Sequence, residues 1–239
     1  MAVRSAVPSR TERVAQTVIR RWCASHLRRH ALLCVEGREH IPARGPALLV
    51  CRHVHHAYDG CVLLTAFPRP VHLLITLDWM PFVPVRRLMA NACRFVRWPV
   101  VTRAAYLPGI AAAASEQTTK RLSVRQAVTA SAEVLQSGEI LAVFPEGYPN
   151  VDPVYTPKLS LTDVLPFQPG FATILDMAQR TCEGPIPVVP VGFSYQRDDR
   201  WKITMRCGPA VFRKPGESRA SFVTSVQSKV VELSRPLPP

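Results

Sequence analysis

Lysine is scarce in this chain, although the chain is strongly basic. Of its 30 basic residues, set against 17 acidic ones, five are lysines, so arginine supplies nearly all of a formal net charge of +13. A charge of this size favours contact with an anionic partner such as a phospholipid surface, a phosphorylated substrate, an acidic carrier protein or nucleic acid. Guanidinium groups suit two-pronged contact with phosphate, but the charge alone does not choose among these partners.

Paired cysteines are also lacking. The seven cysteines are scattered along the chain, odd in number, and include no C-x-x-C pair. This spacing argues against a zinc site and against a disulfide framework, and it fits a reducing, cytoplasmic compartment. We therefore expect no bound metal.

Long apolar runs are absent as well. No stretch reaches the roughly 18 to 20 apolar residues that a bilayer-spanning helix needs, and the basic N-terminus has no apolar block of the secretory type. Residues 11–31 instead predict a helix, with Val14, Val18, Trp22 and Leu27 spaced among arginines. Such a helix lies on anionic lipid or packs its apolar stripe on the domain, and the two interpretations can coexist. We expect peripheral attachment to the inner, cytoplasmic face of a membrane.

Strand and helix signals alternate through most of the chain. The predicted strands span 32–36, 47–51, 71–76, 100–103, 140–144, 186–193 and 201–207, and the predicted helices 60–67, 88–95, 122–136 and 171–180. Residues 148–167, rich in proline and polar groups, predict an irregular excursion. Because no repeat or composition break divides the chain, we predict a basic tail and amphipathic helix over 1–31 and one α/β domain over 32–239. Its sheet should be mixed, largely parallel, and flanked by helices.

Three histidines, His53, His55 and His56, stand between a predicted buried strand and a helix, and Asp59 follows them. A neutral imidazole accepts the proton of an attacking hydroxyl, while a carboxylate behind it fixes the tautomer and stabilises the imidazolium. No serine or cysteine nucleophile is then required. His-rich loops also bind metals or serve structure alone, so this segment needs support from elsewhere.

That support comes from residues 143–150, which read Val-Phe-Pro-Glu-Gly-Tyr-Pro-Asn. Here a predicted buried strand ends in a Pro-Glu-Gly turn, at the kind of sheet edge where open α/β folds place their ligands. Taken alone, this tripeptide is typical of an ordinary surface turn. Combined with the histidine segment, it places Glu146 and Gly147 among the candidate site residues.

Together the two segments resemble the glycerophospholipid acyltransferases, the family of lysophosphatidic acid acyltransferases and their relatives. The signatures of that family are H-x4-D after a strand and a later F-P-E-G-T-R-S. The resemblance runs from about Val35 to Phe212. Further blocks in family order span 35–37, 101–103, 167–170, 188–192 and 206–210.

The resemblance implies a glycerolipid-acyltransferase-like fold and an O-acyltransferase activity. In the family, the histidine deprotonates a hydroxyl of a lysophospholipid or related acceptor, which attacks the thioester of acyl-CoA or acyl carrier protein. The aspartate supports the histidine, no acyl-enzyme forms, and the acyl donor is a co-substrate, so no further cofactor is implied. Glu146, Gly147 and Arg103 are the substrate-binding residues that it implies, and no nucleic-acid partner is expected.

The spacing of the first motif departs from the family. Counted back from Asp59, the position of the histidine falls on Val54, so His53 lies one residue too far and His55 one too near. On a regular helix His55 or His56 would face Asp59, whereas the histidine of the family precedes the helix. Catalytic candidates are therefore His53, which we favour, and His55, each with Asp59.

The second motif departs too, because Tyr148 and Pro149 replace Thr-Arg, and the arginine expected to hold a substrate phosphate is missing. Either other arginines substitute for it or the acceptor is not a glycerol phosphate. The possible substitutes are Arg103, Arg86, Arg87, Arg94 and Arg97.

Two other functions remain open. His55 to Gly60 reads H-H-x-x-D-G, one residue shorter than the H-H-x-x-x-D-G motif of condensation-type acyltransferases that it resembles; that motif would make His56 catalytic, although no D-F-G-W-G-like partner segment is present. The altered Glu-Gly-Tyr-Pro would alternatively suit a non-catalytic, basic lipid-binding module. No RNA- or DNA-binding signature accompanies the positive charge.

Overall fold

The structure is a computed structural model that describes residues 9–77, 80, 82–101 and 114–236. Its strands are β1 (Ala31–Glu36), β2 (Ala47–Cys51), β3 (Val71–Leu73), β4 (Ile75–Thr76), β5 (Val100–Val101), β6 (Ile140–Val143), β7 (Val188–Arg197) and β8 (Trp201–Cys207). Its helices are α1 (Arg10–His30), α2 (Tyr58–Ala66), α3 (Val83–Phe95), α4 (Ala114–Gln136), α5 (Gly170–Gln179) and α6 (Arg219–Leu233), with a short 3-10 turn at Arg38–His40.

The main sheet has six strands in the order β1-β8-β7-β2-β6-β3. Among these described strands the β7–β8 pair is antiparallel and the other four pairs are parallel. β4 and β5 form a small parallel sheet beside it. The predicted mixed, largely parallel sheet flanked by helices is confirmed.

The central strands are buried on both faces, which explains why β2 and β6 are apolar at every position. Leu49 and Cys51 of β2 point into a core shared with α1 and α2. Leu48 and Val50 point the other way, into a core shared with α4, α5 and α6. The strand β2 therefore packs against helices on both faces of the sheet, and the His-rich segment follows its carboxyl end.

Helix α1 presents its apolar residues in two directions. Cys23 and Leu27 are buried in the core beside α2, whereas Val14, Val18 and Trp22 are exposed, Trp22 by 62%. The interpretation that the whole predicted stripe packs on the domain is therefore wrong for these three residues. The reason is geometric: Cys23 and Leu27 set the packed face of α1, and at about 100° per residue Val14 and Val18 lie on the opposite side of the helix. Within the described residues, no helix is both long and apolar enough to cross a membrane.

Several element boundaries differ from the predictions. Helix α6 was not predicted, α3 and α4 begin earlier than expected, and the predicted strand over 71–76 is divided at Leu74 into β3 and β4. The predicted strand over 100–103 is represented by β5. Residues 102 and 103, and with them Arg103, lie outside the described residues.

Candidate active site

The two motifs meet at one edge of the main sheet. β2 and β6 are parallel neighbours, with Val50 beside Val143, so their carboxyl ends lie side by side. The histidine segment continues from β2, and the Pro-Glu-Gly turn continues from β6. The fold therefore brings together two segments that are about ninety residues apart in the chain.

Asp59, in the first turn of α2, is completely buried and receives four hydrogen bonds. Its Oδ2 lies 2.9 Å from His53 Nδ1 and accepts the backbone N–H groups of Val54 at 2.7 Å and His55 at 3.0 Å. Its Oδ1 accepts the Tyr195 hydroxyl at 2.6 Å. Burial raises the pKa of Tyr195, and the Asp59 charge adds to the effect, so this hydroxyl remains a donor. An ionised carboxylate, which only accepts, fits this set of donors.

His53 precedes α2 and turns its ring toward Asp59. With Nδ1 donating to the carboxylate, Nε2 carries the lone pair, an assignment that follows from the hydrogen-bond partner. The ring stacks on Phe144 with centroids 4.3 Å apart, and 16% of the side chain is exposed. This arrangement is that of a general base oriented by a carboxylate.

His55 has a different place. Its Nδ1 accepts the backbone N–H groups of Ala57 at 3.2 Å and Tyr58 at 3.4 Å, which caps the start of α2. Burial lowers the pKa of His55 to about 4, and the neighbouring His56 contributes. An imidazole that accepts these bonds is uncharged, and its Nδ1 is engaged by these two amides and not by Asp59.

The structure therefore pairs His53, and neither His55 nor His56, with Asp59. His56 is exposed, and its Nδ1 lies 3.1 Å from the carbonyl oxygen of Val151. The separation is five residues instead of the family's four. It corresponds to the favoured prediction, in which the histidine lies on the turn before the helix.

Glu146 reaches the same loop from the other motif. It is buried, its Oε1 accepts the backbone N–H of His53 at 2.8 Å, and its Oε2 accepts the N–H of Leu165 at 2.9 Å. Its Oε2 is also 2.7 Å from the ammonium group of Lys158. The carboxylate is thus bonded to groups of the protein and holds the main chain of the histidine segment. Gly147 follows with a φ of 75°, a left-handed conformation that favours glycine in this turn.

Lys158 and Tyr195 are two site residues that the sequence did not single out. Lys158 comes from the excursion after the second motif, and its ammonium group also donates to the carbonyl oxygen of His53 at 2.8 Å. Burial lowers the pKa of Lys158, and the neighbouring Glu146 carboxylate offsets part of that effect. The scarcity of lysine in an arginine-rich chain was an available signal for Lys158. For Tyr195 the signal was a hydroxyl-bearing side chain near the end of a buried strand.

The arginines proposed as substitutes fall into two groups. Arg97 donates to the Ser137 hydroxyl at 3.0 Å. The other group lies on α3, where Arg87 and Arg94 are exposed and Arg86 is partly buried. Among the described residues, no group of three or more His, Cys, Asp or Glu side chains is placed to hold a metal ion.

Comparisons with known proteins address the family and the fold of this chain. A family model described as Acyltransferase matches residues 32–194, more than half of the chain. A search of curated proteins found no match. Matching solved structures include the crystal structure of the 1-acyl-sn-glycerophosphate (LPA) acyltransferase PlsC from Thermotoga maritima, with a TM-score of 0.61 and 17% sequence identity. That match covers 96% of this chain and 84% of the other, and at this identity it establishes a shared fold.

Proposed function

This chain belongs to the acyltransferase family, and we propose that it moves a fatty acyl group from acyl-CoA or acyl carrier protein to the hydroxyl of a lysophospholipid or related acceptor. The observation that carries this proposal is the 2.9 Å contact between His53 Nδ1 and Asp59 Oδ2. It favours a catalytic site over a non-catalytic lipid-binding module, because a buried carboxylate orients a partly exposed imidazole. It also favours His53 over the condensation-type assignment of His56, which has no carboxylate partner among the described residues.

The proposed reaction needs only one proton carrier. Nε2 of His53 takes the proton of the acceptor hydroxyl as its oxygen attacks the thioester carbonyl, and Asp59 stabilises the imidazolium. Collapse of the tetrahedral intermediate breaks the carbon–sulfur bond, and the departing thiolate takes the proton back from the imidazolium. The products are an ester and a free thiol, so the acyl donor acts as co-substrate and no further cofactor is required.

The backbone donors nearest the histidine are already in use. The N–H of His53 bonds to Glu146, those of Val54 and His55 bond to Asp59, and that of Gly147 bonds to the carbonyl of Phe144. We therefore assign none of these four amides to the oxyanion of the intermediate. In this proposal Glu146 and Gly147 shape the acceptor site by holding the loop, and Arg103 remains a candidate ligand for an acceptor phosphate.

Thiol release is the direct test of this function. Purified protein should release free thiol from a long-chain acyl-CoA or acyl carrier protein, and release should depend on an added lysolipid. A panel of lysolipids and simple alcohols, followed by lipid analysis, identifies the acceptor. Because Asp59 orients His53 and Glu146 holds its main chain, Asp59→Ala and Glu146→Ala should both lose activity. Full activity in both variants would rule out the proposed site.

Peripheral attachment to an anionic membrane is the second part of the proposal. On α1 the exposed Val14, Val18 and Trp22 lie among exposed arginines, and on α3 Leu88 is 69% exposed near Arg87. Large apolar side chains left in water beside cationic ones are typical of helices that rest on a charged lipid surface. Such a surface on the cytoplasmic side would also present the lipid acceptor.

Replacing single apolar residues of these helices should weaken vesicle binding. We expect Trp22→Ser and Leu88→Ser each to lower partitioning onto phosphatidylglycerol-containing vesicles by about tenfold, because each removes the burial of one large apolar side chain. The measurement is co-sedimentation with vesicles of defined composition. Phe212→Ser, which changes an exposed aromatic residue that belongs to neither helix, is the matched control. Equal binding by all three variants and the parent protein would contradict this mode of attachment.

A further inference from the structure

We infer that Lys158 is a positioning residue for acyl transfer: its buried ammonium group fixes the main chain of His53, so that the imidazole stays aligned with Asp59. The inference deepens the proposed function and rests on it for the activity measurements. It assigns a role to a residue outside both motifs that carry the family resemblance.

The peptide groups of His53 are held from both sides by one ion pair. Glu146 Oε1 accepts the N–H of His53 at 2.8 Å, and Lys158 Nζ donates to the carbonyl oxygen of His53 at 2.8 Å. Glu146 Oε2 and Lys158 Nζ are themselves 2.7 Å apart. The three residues form a closed ring of contacts, so a shift of Lys158 moves the backbone that carries the imidazole.

The ammonium group has no donor left for a substrate. It carries three N–H bonds, and the structure gives them three acceptors: Glu146 Oε2, His53 O and Asn150 Oδ1, the last at 3.1 Å. The side chain is fully buried. Lys158 therefore does not take the place of the missing arginine as a phosphate ligand, and its effect must pass through His53.

Stability alone is a poor reason to bury this pair. Removing two charges from water costs several kcal/mol per ion, and well-packed apolar residues often serve as well or better. The same lysine also organises the excursion from which it comes. Asn150, its third acceptor, donates to the carbonyl oxygens of Ser160 at 2.6 Å and Asp163 at 2.9 Å. The excursion thus places the ammonium group of Lys158 against the main chain of His53.

The test compares Lys158→Met with Lys202→Met. Methionine keeps the length of the side chain without its charge, and Lys202 forms an exposed ion pair with Asp198, so it serves as the matched control. We expect Lys158→Met to lower kcat by roughly 10- to 100-fold, because small misplacements of a catalytic group have effects of this size. The KM values for donor and acceptor should change less than twofold, and Lys202→Met should match the parent protein. A raised acceptor KM with unchanged kcat would overturn the inference and make Lys158 a substrate ligand.

A second measurement does not depend on activity. The NMR signal of the His53 ring proton that bonds to Asp59 should change in Lys158→Met, because the imidazole moves relative to the carboxylate, and stay in place in Lys202→Met. If the parent protein transfers no acyl group, the proposed function fails, and the positioning role is then decided by this signal alone. An unmoved His53 signal in a folded Lys158→Met protein would overturn the inference.

The double variant Glu146→Leu/Lys158→Met covers the case in which Lys158→Met does not fold. It replaces both charges with apolar side chains of similar size, so neither member of the ion pair is left buried without the other. We expect it to fold and to be at least as impaired in kcat as Lys158→Met, because both peptide groups of His53 lose their partners. Parent-like kcat in this variant would overturn the inference.

Discussion

Replacing His53 by alanine is expected to lower kcat for acyl transfer by about 10²- to 10⁴-fold, the usual contribution of a general base. The acceptor hydroxyl would then have to lose its proton to water, and Asp59 would have no imidazolium to stabilise. KM for the acyl donor should change little, because the loss falls on the transition state. A continuous assay of free thiol, with the acceptor varied, measures both quantities.

His56→Ala is the control for this experiment, since His56 is exposed and contacts the carbonyl of Val151 instead of Asp59. His55→Ala should reduce stability by about 1 kcal/mol, as expected for a lost helix cap, and should retain much of its activity. If His55→Ala lost its activity and His53→Ala kept it, the pair of His53 and Asp59 seen in the structure would not be the catalytic one.

Two carboxylates hold the main chain of the histidine segment by accepting hydrogen bonds from its backbone N–H groups. Glu146 takes the N–H of His53, and Asp59 takes the N–H groups of Val54 and His55 as well as the imidazole. Three successive amides are thus fixed by side chains from two different segments. The direction of the His53 ring follows from its backbone, and this explains why both motifs are needed to hold one imidazole in place.

The fold was accessible from the sequence where apolar runs were continuous and ended in turns. β2 and β6 are such strands, and their neighbouring carboxyl ends followed from the parallel sheet that alternating strands and helices predict. Helix α6 escaped prediction because valine, serine and threonine fill it, and these residues have modest helix propensity. Tertiary packing of Phe222 and Val226 in the core stabilises it instead.

Spacing alone could not show which histidine pairs with Asp59. Helical geometry pointed to His55 or His56, but α2 begins at Tyr58, so all three histidines lie before it. What selects His53 is the bend of the chain around the Asp59 carboxylate, and this bend depends on hydrogen bonds to the backbone. Such bonds cannot be predicted from the residue types, because every residue except proline offers the same backbone N–H group.

The remaining site residues depend on distant parts of the chain. Lys158 meets His53, and Tyr195 meets Asp59, across sequence separations of 105 and 136 residues. For α1, the spacing predicted a helix correctly, but two apolar directions were available. Leu27 is buried in the core beside α2, whereas Trp22 stays exposed. The local sequence pattern thus predicts helices and strands, whereas the contacts between them decide which side chains meet in the site.

Lowering the pH from 7 to 4 is expected to destabilise the folded chain by several kcal/mol, because two buried histidines must stay uncharged. Burial lowers the pKa of His72 to about 4, and the charge of Arg97 adds to this effect. Burial lowers the pKa of His55 to about 4 as well. In the unfolded chain an imidazole titrates near 6.5, so the unfolded state binds protons that the folded state does not between about pH 6.5 and 4. The free energy of unfolding therefore falls as the pH falls through this window, by up to about 3 kcal/mol per histidine.

His72→Gln separates this effect from general acid denaturation. Glutamine does not titrate, and it keeps an N–H donor that can reach toward the carbonyl oxygen of Arg97, which lies 3.2 Å from His72 Nδ1. Urea unfolding at pH 7, 5.5 and 4.5 should show about half the loss of stability that the parent protein shows, since one of the two buried histidines remains. His30→Gln, at an exposed position, is the control. An undiminished loss in His72→Gln would place the acid sensitivity elsewhere.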